Sequence, residues 1–232
     1  MMEPVTTPLE GATTRLLATV EGMPPAGWQS PSLCAGWTRA HVIAHLALNA
    51  EALDGVVRGL AGGRPVPMYV SDDARNADIA DLAVQPTADV LDRLRTAAAA
   101  LDRSLPHLAT LPQDAIFERT PGGPRVRAAG VLLMRLGEVE IHHADLDAGY
   151  THAHWPAETA VALLDRDAAR HPGESFVAHA TDLDREWTFG DPGDDAPVVS
   201  GPASALAWWA TGRDPGTLLS SSTGSLPTME GR

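Results

Sequence analysis

The stretches GWTRAHVIAHLALNA (residues 36–50) and LMRLGEVEIHHADLDAGY (residues 133–150) carry most of what the chain can do. In the first, His41 and His45 are four residues apart, so a helix would place them on neighbouring turns of one face. In the second, Glu138 and His142 have the same spacing. Val131, Met134, Glu138, His142 and Asp145 fall on one stripe at intervals of three and four, apolar at its start and ionisable at its end. A stripe of this kind entering a helical core must have its polar groups satisfied there. A cation does so, by neutralising the carboxylate and using the imidazole lone pairs. Two histidines and one carboxylate leave a fourth position open, which is the pattern of a catalytic zinc site. The plainer readings are a packed or surface histidine pair and a local Glu–His salt bridge. Spacing does not choose between His41 and His45, nor cleanly between His142 and His143, although the stripe favours His142.

Around these stretches the first two thirds of the chain read as helical. Leu9, Leu16, Leu17 and Val20 mark a helix over 9–22. Thr38 is placed to cap a long helix to about 61, which GGRPVPMYV (62–70) interrupts. Ser71 opens a short helix through Leu82, and Thr87 opens another with Val90, Leu91, Leu94, Ala98 and Leu101 on one face. Residues 112–127, with a TPGGP turn at 120–124, read as a loop or irregular hairpin, and an apolar helix follows over about 127–149. Beyond it the character changes. Pro156 stands where a first helical residue would, strand-like runs follow at 175–181, 185–189 and 196–200, and a last helix spans 201–212. SSSTGS (220–225) reads as loop or tail. The expectation is a mainly α protein: a four-helix bundle over 1–152 and a small α+β domain over 153–232.

Composition narrows the chemistry. Among 232 residues, 17 basic against 30 acidic side chains give a net charge of −13, a poor match for nucleic acid or an anionic membrane. Every basic residue is Arg, so a P-loop lysine, a Schiff-base lysine and a lysine general base are all excluded. The one cysteine, Cys34, permits no internal disulfide and no multi-thiolate zinc site. It reads as a small buried residue. The N-terminal residues MMEPVTTPLEGATTRLL lack a signal-peptide pattern, and no apolar run approaches a bilayer span, so the expected location is cytoplasmic. No GxSxG, GxGxxG or Walker pattern is present.

The segments GWTRAHVIAHLALNAEAL, PMYVSDDARNADIA and GEVEIHHADL, with VVSGPASALAWWATGR and SSTG near the end, resemble the mycothiol-dependent maleylpyruvate isomerase family. That family belongs to the DinB-like metal-binding four-helix bundles. The resemblance implies a zinc ligand set of His45, Glu138 and His142, and functional arginines at Arg75 and Arg213. It further implies a sterol-carrier-like C-terminal domain, with Arg213 bringing the space between the domains into the site. Glu140 and His143 depart from the more hydrophobic version of the motif. Asp145 is a candidate to orient a ligand or, equally, an exposed helix-end residue; His41 reads as packing. Trp208 and Trp209 read as anchors of the last helix to the small sheet. The function implied is zinc- and mycothiol-dependent cis–trans isomerisation of maleylpyruvate to fumarylpyruvate. A mycothiol-dependent S-transferase is the first alternative and a non-catalytic zinc-stabilised binding module the second. The partners expected are a small substrate and a low-molecular-weight thiol, with the chain a monomer or weak homo-oligomer.

Overall fold

The computed structural model describes residues 6–193 and 195–229. Residues 1–5, part of the segment read above for a leader pattern, lie outside them. Contacts between residues divide the chain into two compact units, Met1–Tyr150 and Thr151–Arg232.

The first unit is built on α1 (Thr6–Gly22), α2 (Arg39–Ala61), α3 (Asp72–Ala83), α4 (Thr87–Ser104) and α5 (Val131–Asp145). The four long helices close a ring: α1 packs on α4 and α5, and α2 packs on the same two. The short α3 lies on α2. This is the four-helix bundle that the apolar periodicity calls for. Leu16, Ile43, Leu46, Leu53, Leu94 and Leu136 fill its centre. Each fully buried side chain of this size contributes roughly 1.5–3 kcal/mol.

The helix starts follow local chemistry. Ser71 Oγ accepts the Ala74 amide at 3.0 Å, a hydroxyl cap on α3. At α2, Thr38 Oγ1 lies 2.8 Å from His41 Nδ1, and the Thr38 amide points at the same nitrogen at 3.4 Å. His41 therefore closes a capping box in the place where Glu or Gln commonly stands. The hairpin of β1 (Ile116–Glu118) and β2 (Arg125–Arg127) is antiparallel, with TPGGP as its turn.

α5 is shorter than its apolar run suggests. A 3-10 turn occupies Ala128–Gly130, and the helix stops at Asp145 because Asp147 takes a left-handed conformation, φ 49°. Its last carbonyls are held across the bundle. Arg39 Nε donates to Leu146 O at 2.6 Å, Arg39 Nη2 to Asp147 O, and the Leu33 amide to Asp145 O at 2.8 Å. These bonds fix the end of α5 against the start of α2.

The second unit carries α6 (Ala157–Ala168), α7 (Ala203–Ala210) and a four-stranded sheet. Its strands are β3 (Phe176–Ala180), β4 (Arg185–Phe189), β5 (Val198–Gly201) and β6 (Ser220–Ser221), in the order β4-β3-β5-β6. Only β3 and β5 run parallel. Two sequence expectations are corrected. Pro156 caps α6 from outside, one residue before its first turn. Ser220 and Ser221, read as loop or tail, pair with Ser200 and Val199 as an edge strand, a two-residue register no periodicity can reveal. Trp209 packs on Phe176 of the sheet, whereas Trp208 meets Trp155 and His152 instead. No helix among the described residues is long and apolar enough to cross a membrane.

Candidate metal centre

α2 and α5 are neighbours in the bundle, and the ends that Arg39 ties together carry the ionisable residues. His45 Nε2 lies 2.7 Å from Glu138 Oε2, and His142 Nε2 lies 3.4 Å from the same oxygen. The two imidazole rings meet edge to face at 4.7 Å. One ligand atom from each of His45, Glu138 and His142 falls within 4.8 Å of the others. Donors around a tetrahedral ion with bonds near 2.0–2.1 Å stand about 3.3 Å apart. The donor set and its spacing fit a divalent cation held by N, O and N.

His45 is 3% exposed, under the indole of Trp37 at 5.7 Å. Burial pushes its pKa down, against the pull of the Glu138 charge. Its far nitrogen, Nδ1, lies 3.1 Å from Arg75 Nη2. A guanidinium only donates, so Nδ1 accepts and the ring proton sits on Nε2, facing Glu138. His142 is opposite in character. Burial works against its charge, but hydrogen bonds to Asp145, Cys34 and Glu138 outweigh it and hold its pKa well above the ordinary value. Burial likewise opposes ionisation of Glu138, and the two histidines overcome it, holding its carboxyl well below the usual range. The site is thus an anion clasped by two N–H groups, in the place where a cation would be shared.

Asp145 is fully buried, not an exposed helix end. Its Oδ2 takes the His142 Nδ1 hydrogen bond at 2.8 Å and the Cys34 thiol at 3.2 Å. A carboxylate on the outer nitrogen fixes the tautomer that turns the other lone pair to a metal. Cys34, read from sequence as merely small and buried, thereby joins the outer support of the site. The signal for Asp145 was its spacing of three from His142; nothing local marked Cys34, which arrives from a loop.

Arg75 is steadied by Asn76 Oδ1 at 2.9 Å and lies over the Tyr69 ring at 5.5 Å. Tyr69, which the sequence reading did not single out, has its pKa raised by burial and by the Glu138 charge. Arg213 lies in the second unit, over the Trp208 ring at 5.9 Å. His41 serves the helix cap and is not among the clustered donors. His143 faces away: it stacks on Tyr150 at 3.7 Å, with Nε2 2.8 Å from Thr19 Oγ1. Glu140 lies on that same side, fully buried, taking Arg15 Nη2 at 2.7 Å and the Tyr150 hydroxyl at 2.6 Å. The two departures from the family motif are therefore polar links among α1, α5 and Tyr150.

A four-helix bundle whose facing helices bring two histidines and one carboxylate together defines a class: helical bundles with a candidate site for one metal ion. Within it, residues 9–147 match the family model for the mycothiol maleylpyruvate isomerase N-terminal domain, and the chain belongs to that family. Two crystal structures of the mycothiol-dependent maleylpyruvate isomerase, one of them a histidine-to-alanine mutant, are similar to it. Each aligns with a TM-score of 0.85 at 28% identity, over 99% of this chain and 98% of theirs. Among curated proteins, no sequence matches the chain.

Proposed function

We propose that this protein is a zinc- and mycothiol-dependent isomerase that converts maleylpyruvate to fumarylpyruvate. The observation that carries the reading is the convergence of His45 Nε2, Glu138 Oε2 and His142 Nε2 on one point. Family membership and the likeness to the isomerase structures support it.

The chemical problem is rotation about a double bond conjugated to a ketone. Addition of a thiolate to the alkene carbon leaves a single bond and an enolate. Rotation follows, and expulsion of the same thiolate restores the alkene as the trans isomer. A free thiol is mostly protonated at neutral pH and adds poorly. Zinc, which His45, Glu138 and His142 would hold, would supply the Lewis acidity that lowers a thiol's pKa. The chain's own residues do the rest. Asp145 and Cys34 hold His142 in the orientation that offers Nε2. Trp37 shields His45 from water. Arg75, beside the ligand set, is assigned to a substrate carboxylate and to the developing enolate oxygen. Arg213, in the second unit, is the other arginine that the family resemblance marks as functional.

The test is to incubate the protein with zinc, mycothiol and maleylpyruvate while following dienolate absorbance and free thiol together. Isomerisation with no net loss of thiol is the expected result. One thiol consumed per turnover, with an adduct as product, makes the protein an S-transferase instead.

A further inference from the structure

Arg75 is held beside the ligand set in a way that its charge does not explain. It stands in the first turn of α3, the end of a helix that disfavours a cation. Its hydrogen bonds run to Asn76 Oδ1 at 2.9 Å and His45 Nδ1 at 3.1 Å, and neither partner is an anion. Its Nε is buried and has no hydrogen-bond partner among the described residues. Asp72, an acid of the same turn, is taken by Arg119 instead.

The missing support is aromatic. Arg75 Cζ stands over the Tyr69 ring at 5.5 Å, inside the reach of about 6 Å over which a ring face attracts a guanidinium. Arg119 Cζ lies over the same ring at 5.4 Å. The ring is itself fixed. The Tyr69 amide donates to Arg119 O and the Met68 amide to Glu118 O, both at 2.9 Å, which stitches the segment to the end of β1. Asn49 of α2, whose Oδ1 takes Arg135 Nη1 at 2.8 Å, backs the Tyr69 hydroxyl. A carboxylate in place of Tyr69 would hold the arginine and cancel its charge; a ring face holds it and cancels nothing. We propose that Tyr69 is a positioning residue, its ring clamping the Arg75 guanidinium beside His45 while leaving the full charge for an anionic group of the substrate. The clamp stands on these contacts; its use rests on the isomerase reading, in which Arg75 takes a substrate carboxylate.

The test reads order and turnover separately. In the unsubstituted full-length protein, the Arg75 Nε–Hε signal, assigned by its absence from Arg75→Met, should show an order parameter near the value of about 0.85 for rigid groups. In Tyr69→Leu it should fall below about 0.6, and in Tyr69→Phe, which keeps the ring, it should stay high. Metal content should be unchanged in both variants. Tyr69→Leu should lower kcat/KM for isomerisation about tenfold or more, and Tyr69→Phe less than about threefold. Added to Arg75→Met, Tyr69→Leu should lower it no further than about twofold, because a residue acting through Arg75 has nothing left to position; a general loss of packing would cost the same in both backgrounds. A mobile Arg75 in the unsubstituted protein overturns the clamp even if Tyr69→Leu does not fold. An Arg75 equally ordered in Tyr69→Leu, or losses that add in full, overturns it too. Failure of the unsubstituted protein to isomerise maleylpyruvate sinks the proposed function instead, and the order parameters still decide the clamp.

Discussion

At the scale of single residues, Glu138 gathers the site: both Nε2 atoms point at one carboxylate oxygen, and each would give up its proton to a metal. Removing either His45 or Glu138 breaks the donor set. His45→Ala and Glu138→Ala should each reduce metal content from about one ion per chain to near zero, measured by elemental analysis after dialysis. Asp145→Asn keeps the shape but loses the anion behind His142, and metal affinity should fall about 10- to 100-fold in a competition titration with a chromophoric chelator. Arg75 predicts an opposite effect. Once Nε2 of His45 serves a cation, its remaining proton moves to Nδ1, where a donor-only guanidinium cannot stay bonded. Loss of a hydrogen bond is worth about 0.5–1.5 kcal/mol, so Arg75→Met should raise metal affinity roughly 2- to 10-fold while lowering turnover.

The same residues fix the sign of the pH dependence. His142 has a folded pKa well above its ordinary value of about 6.5, so its stabilising contribution to the metal-free protein is complete below that value. It is lost as pH rises through the raised folded pKa. The stability gap between the metal-free protein and His142→Gln, from urea unfolding, should therefore narrow with rising pH. Metal binding runs the other way. The Nε2 proton competes with the ion, so affinity should climb over the same interval.

At the scale of the element, α5 explains how one helix serves two purposes. A step of two residues turns about 200° around a helix. Glu138 thus faces the metal site while Glu140 faces α1. Glu140 is tolerated there only because Arg15 and Tyr150 both reach it. Tyr150→Phe removes one donor from a fully buried carboxylate and should cost about 1–3 kcal/mol with little change in metal content, read from the urea midpoint at constant slope. The spacing of Glu138, His142 and Asp145 was legible in the sequence because it is the helix period itself. Which histidine of α2 faces α5 was not legible from spacing alone. That depends on how the two helices are rotated in the ring, and the Thr38–His41 cap together with the Arg39 bonds to Leu146 and Asp147 show the outcome.

At the scale of the whole molecule, the two units invite a functional separation. The first contains the complete candidate ligand set, and the second contains Arg213. Arg213→Ala should leave metal content unchanged and lower kcat/KM for isomerisation, whereas the ligand substitutions should lose both together.

By itself the sequence determined the helix pattern, the exclusion of lysine and thiolate-cluster chemistry, and the two four-residue spacings of donors. These are properties of composition and of a fixed 3.6-residue repeat. Tertiary structure alone decided that His45 reaches the carboxylate of Glu138, 93 positions away, and that Cys34 and Asp145 support His142. Contacts at such separations arise from helix rotation and packing, a many-body balance that no local window of residues contains.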